Sequence, residues 1–98
     1  MELKFTPLAV KRLEDNTGKV FYDLMSEPSV SVCFEFVKVG LNVDDDGADK
    51  AISEYLKGEG NDITTLFMAI TEALQRDGFL PKSLNVRKLM EQAKEVKK

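Results

Sequence analysis

The sequence predicts an all-α protein, a compact bundle of five to six short helices preceded by a short extended arm. Three observations predict it. Residues 63–74 carry an unbroken helical stripe: Ile63, Leu66, Phe67, Ile70 and Leu74 recur at i, i+3, i+4, i+7 and i+11. Helix start and stop signals punctuate the chain at regular intervals, among them Thr6-Pro7, Gly18, Gly58, Gly60 and Asp77-Gly78. The one stretch with β-like composition, residues 30–41, is flanked by helical segments and has no second strand to pair with.

Taken in order, residues 2–5 alternate, with Leu3 and Phe5 on one side, as an edge strand or extended arm would. Thr6 is a capping residue, and Pro7 suits the first helical position because its missing N–H would have no partner there. Leu8, Ala9, Arg12 and Leu13 then follow with helical spacing. Gly18 ends this helix by accepting the left-handed conformation. A second, short helix is expected over 19–25, with Val20, Phe21, Leu24 and Met25 on its apolar face. Pro28 breaks it.

Residues 30–41 read both ways. Val30, Val32, Phe34 and Phe36 alternate, and β-branched and aromatic residues favour strands. Val30, Phe34, Val37 and Leu41 also fall at i, i+4, i+7 and i+11, and Pro28-Ser29 suits a helix start. The helical flanks decide for helix. Residues 42–47 are expected as an acidic loop, and 48–56 as a helix with Ala48, Ile52, Tyr55 and Leu56 on one side. Asn61 or Asp62 caps the strongest helix. Pro81 and Ser83 open a last one, with Leu84, Leu89, Met90, Ala93 and Val96 as its apolar side. The domain reading is a helical unit over 1–81 and a basic helix or tail over 82–98.

The chain has 98 residues, 43% of them hydrophobic and 32% charged, a globular mix for one domain. Cys33 is the single cysteine, so no internal disulfide can form, which suits a reducing compartment. The first ten residues lack the pattern of a secretory signal, and no apolar run approaches the ~20 residues of a membrane span. No membrane contact is expected. Net charge is −3, unevenly placed: residues 82–98 hold six basic and two acidic side chains, so they carry +4 and residues 1–81 carry −7. An acidic body argues against nucleic-acid binding, which needs a basic surface facing phosphates. The basic end can dock an acidic neighbour, with Arg87, Lys88 and Lys94 as candidate self-association residues, or it is simply a solvated helix end favoured by the macrodipole.

Reactive chemistry is sparse. The chain has no histidine, which removes the commonest general base and metal ligand. One cysteine cannot build a zinc site. Phosphate-cradling glycine motifs are absent. Residues 42–47 copy the first half of a calcium loop, with oxygen-bearing side chains at positions 1, 3 and 5 and Gly47 at 6. The bidentate Glu required at position 12 is replaced by Ser53, and Asp49 stands where an apolar residue normally pins the loop. These acids read instead as a turn that caps the following helix. The expectation is a non-enzymatic protein with no catalytic residue, cofactor or metal.

What remains is apolar surface. Val32, Phe36 and Val39 fall partly outside the Val30/Phe34/Val37 stripe, so this helix is apolar on two sides. It is either central in the core or turned to a partner. Phe67 and Met68 are adjacent and cannot share one direction. Phe21, Met25, Val32, Phe36, Val39 and Met68 are therefore the candidate partner-binding residues.

The segments FTPLAVKRLEDNTGKVFYDLM, PSVSVCFEFVKVGL, ADKAISEYL and ITTLFMAITEAL, in this order, resemble the small tail-assembly chaperones of long-tailed bacteriophages. The shared pattern is a short F…L…L-E-…-G helix, a helix over a weakly apolar run, a polar loop, an I-x-x-Y/L helix and a long amphipathic helix. It covers residues 3–80 and is closest to chaperones of lactococcal phages. The resemblance implies a protein that coats the aggregation-prone tape-measure protein in the host bacterial cytoplasm until the tail tube polymerises, and that is absent from the mature virion. It also implies a longer frameshifted form that would engage the tail-tube protein; Lys97-Lys98 is compatible with a slippery codon pair. Pockets lined by Phe and Met would suit helix-in-groove binding of varied sequences, with self-association adding avidity. Two other classes fit the residues: a small helical DNA-binding regulator, with 83–98 as its recognition helix, and a structural tail or connector subunit.

Overall fold

The computed structural model describes residues 1–82, and every described element is helical. The expected last helix, and Arg87, Lys88 and Lys94 with it, lie outside the described residues.

Helix α1 spans Pro7–Thr17. The Thr6 hydroxyl accepts from the Ala9 N–H, Pro7 opens the helix, and Gly18 closes it at φ +71° with its N–H on the Glu14 carbonyl. Both signals sit where the sequence put them. The buried face differs by one position. Ala9, Val10 and Leu13 are buried, while Leu8 is exposed and Arg12 reaches out to Asn42. Spacing alone allows either face, and the docking of α1 on its neighbour selects the one containing Val10.

Helix α2 is short, Phe21–Met25, and only Leu24 is fully buried. Val20 lies before its first turn and is exposed, contrary to the face read from spacing. A bond from outside the helix holds its start: the Phe21 N–H donates to the Glu14 carboxylate of α1 at 2.9 Å.

Residues 30–41 are a helix, α3 (Val30–Leu41). Ser29 accepts from the Val32 N–H, and Asn42 ends the helix in the left-handed conformation at φ +57°. The context argument thus holds over the strand-like composition. Helix α3 packs against α1, α4 and α5 and is the centre of the domain. Its buried residues, Val32, Cys33, Phe36, Val37, Val39 and Gly40, come from two sides of the helix.

Helix α4 runs Asp45–Leu56. It starts three residues before the expected Ala48, because Asp44 itself is the cap, accepting from the Gly47 N–H at 2.9 Å. Asp45 and Asp46 occupy the first turn, where the helix dipole favours negative charge. Ala48 and Ile52 face the core. Helix α5 spans Ile63–Arg76 and begins with a reciprocal capping box between Asp62 and Thr65. The Tyr55 hydroxyl donates to the same Thr65 at 2.9 Å and ties α4 to α5. Of the stripe anticipated from spacing, Leu66, Phe67, Ile70 and Leu74 are buried and Ile63, in the first turn, is partly buried; Thr71 and Ala73 join the buried face. Lys82 closes α5 by donating to the Gln75 and Arg76 carbonyls, a cation at the negative end of the helix.

Residues 1–6 form neither helix nor strand and lie across α3 and α5. Leu3 and Phe5 are buried, and Glu2, Lys4 and Thr6 are exposed.

Candidate protein-binding surface

The six residues proposed for partner binding separate into two groups. Val32, Phe36 and Val39 are corrected: all three are core residues, and Phe36 is fully enclosed, meeting the Phe5 ring edge-on at 6.0 Å. The physical reason is the central position of α3. A helix with neighbours on three sides needs apolar side chains on more than one face, so its two-sided pattern serves the interior. Phe21, Met25 and Met68 are partly buried. Met68 stands on α5. Phe21 and Met25 stand on α2 and pack against the edge of the core.

Phe21 is the anchor of an aromatic corner. Its ring stacks on Tyr22 at 4.3 Å with an interplanar angle of 28°, and meets Phe79 edge-on at 6.2 Å. Such pairs hold rings in defined orientations. Tyr22 is 61% exposed and Val20 54% exposed. A floor of half-buried rings therefore carries an open aromatic ring on top. Charges lie beside it: Lys19 and Glu27 are 3.5 Å apart across α2, and the Glu14 carboxylate is held by the Phe21 N–H. An apolar centre with charged neighbours is the usual anatomy of a contact surface between proteins. Tyr22 and Val20 were missed as surface groups. The signal available was their place in a very short apolar helix bounded by Gly18 and Pro28, too short to bury more than one line of side chains.

Elsewhere several ionisable groups have structural partners. Asp44 caps α4, and Asp45 pairs with Lys38 at 2.8 Å. That bond is the main reason the Lys38 pKa is raised. The acids that copied half a calcium loop are thus helix-start groups. Among the described residues no three Cys, Asp or Glu side chains come together to hold a metal ion. Cys33 is buried in α3, and desolvation pushes its thiol up to about 11, so it stays protonated. Asp77 is held down at about 2, first by Arg76 and next by the Phe5 N–H. No buried side-chain nitrogen or oxygen among the described residues lacks a partner.

Two shallow grooves border the extended arm. One, of about 810 Å³, lies between residues 1–4 and the Ala69–Glu72–Ala73–Arg76 face of α5. The other, of about 410 Å³, lies towards Leu8, Arg12 and the end of α3. No helix among the described residues is long and apolar enough to cross a membrane. In comparisons with protein-family models, curated proteins and solved structures, nothing matches this chain.

Proposed function

We propose that this is a non-enzymatic protein-binding module, acting as a tail-assembly chaperone that keeps a long helical client, the tape-measure protein, soluble before tail-tube polymerisation. The observation that carries the reading is the aromatic corner of Phe21, Tyr22 and Phe79, with Val20 beside it. The exposed Tyr22 ring, stacked on half-buried Phe21, offers apolar area of the kind that covering apolar stripes on a client requires. The family resemblance over residues 3–80 supplies the identity of the client. Each contact would be weak alone, and copies bound along a long client would gain by avidity.

The test is co-expression with the protein encoded immediately downstream. A long, helical, otherwise insoluble product should become soluble and co-purify. Tyr22→Glu should abolish this at a stability cost of no more than about 1.5 kcal/mol, the worth of the lost stack on Phe21. A client that stays insoluble with the wild-type chain refutes the chaperone reading. A client rescued equally by Tyr22→Glu refutes the aromatic corner as its contact.

A further inference from the structure

We propose that residues 1–5 are an exchangeable strap, and that the seat they occupy on α3 and α5 accepts the same residues of a second copy of this chain. The inference is independent of the chaperone reading.

The seat is specific for a short extended segment. At its floor is Gly40. A Cβ built there would lie 2.9 Å from Leu3 Cδ2, which would have to move, and 3.0 Å from Phe5 Cζ, which would have to give by a few tenths of an ångström. The glycine is thus the space into which the strap fits. The seat also reads the main chain of the strap at three points. The Lys4 N–H donates to the Gly40 carbonyl at 3.0 Å, the Phe5 N–H donates to Asp77 Oδ2 at 2.7 Å, and Arg76 Nη2 donates to the Leu3 carbonyl. Phe5 then meets the Phe36 ring edge-on. Charges match as well: Glu2 faces Arg76, and Lys4 faces Asp77.

The strap can leave this seat more readily than a helix can leave the core. It is tied to the domain by a single main-chain to main-chain bond and by one pair of adjacent side chains, Arg76 and Asp77. Only two of its side chains, Leu3 and Phe5, are buried. Grooves run along both of its edges, beside the exposed Glu2 and Lys4. Segments with few buried contacts open at far lower cost than the whole domain.

A released strap would remain suited to its seat. Thr6 precedes Pro7, whose ring restricts it to extended conformations, and it adopts φ −118° and ψ 165°. The occupant is a second copy because every determinant of the seat is filled by this sequence. Two chains that trade straps keep all of these contacts, which makes exchange a low-cost route to a dimer.

The experiment mixes two full-length chains. One is unlabelled Glu2→Cys carrying a nitroxide; position 2 is exposed, and buried, protonated Cys33 leaves the new thiol as the reactive one. The other is ¹⁵N-labelled and carries no spin label. The expected result is selective broadening of the Gly40, Ala73 and Asp77 amides of the ¹⁵N chain, increasing with concentration. Adding Leu3→Ala and Phe5→Ala to the nitroxide chain should remove the effect. No broadening at the highest soluble concentration would overturn the proposal. So would broadening spread evenly over the surface, or broadening that survives the double substitution.

Discussion

Asp77→Asn should flatten the acid limb of the stability curve. In the folded chain the Asp77 carboxylate is held at about 2, chiefly by its bond to Arg76 at 2.8 Å and then by the Phe5 N–H. Its ordinary value is 3.8. A depressed folded-state pKa contributes stability that is fully present above the unfolded value and lost as pH falls through the folded one. The window is therefore from near pH 5 down to about pH 2. The full shift would correspond to roughly 2.4 kcal/mol at about 1.36 kcal/mol per unit. The Arg76 side chain is 58% exposed and that of Asp77 17%, so solvent and salt screen part of the interaction. We therefore expect about 1–2 kcal/mol, or roughly 4–16 °C in Tm for a chain of this size.

Asparagine can still accept the Phe5 N–H, so the substitution removes the charge and leaves that bond possible. Thermal melts followed by circular dichroism at pH 2 to 7 would measure the effect. The difference between the wild type and Asp77→Asn should be largest at pH 6–7 and shrink to near zero at pH 2. Because the other carboxylates titrate in both proteins, the comparison isolates Asp77. A difference that stays constant with pH would show that Asp77 acts through shape alone and would refute the electrostatic argument.

Two further outcomes follow from the core. Phe36→Ala should cost about 3–5 kcal/mol in urea unfolding, since the ring is fully enclosed between α3 and its neighbours and its loss leaves a cavity; a loss below about 1 kcal/mol would place the ring at a surface. Cys33 should resist thiol reagents at pH 7–8 in the folded protein and react at the rate of an ordinary thiol in denaturant. Fast labelling of the native chain would contradict its burial.

Helix ends were legible because their chemistry is local. Thr6 and Pro7, Gly18, Ser29 and Asp62 each satisfy or terminate a backbone hydrogen-bond pattern within four residues, and each stands where such residues should. Helix faces were less legible. Leu8 and Val10 are equally apolar and lie on opposite sides of Ala9, and the choice between them depends on the angle at which α1 meets α3. Cap position in the acid-rich stretch failed for a related reason. Asp44, Asp45 and Asp46 are identical as caps, and Gly47, which reads as a turn residue, sits inside the first turn of α4. For the binding surface, two-sided apolarity in α3 was visible in the sequence, and its meaning was not. Central helix and partner-facing helix require the same residues, and only the neighbours of Phe36 separate them.

That separation narrows where a partner can bind. Once α3 has spent Val32, Phe36 and Val39 on the interior, the most exposed aromatic ring among the described residues is Tyr22 of α2, with half-buried Phe21 and Phe79 beside it. Helix α2 has five residues, fewer than an isolated helix needs to persist in water, and only Leu24 is fully buried. It keeps its shape through its neighbours: Phe21 rests on Phe79, and the Phe21 N–H rests on Glu14. Such an element rearranges at lower cost than α3 or α5, whose burial ties them to the whole domain. A surface that must accept many different stretches of one long client benefits from this division. In the proposed chaperone role the deep core would keep the domain folded while the aromatic corner meets the client.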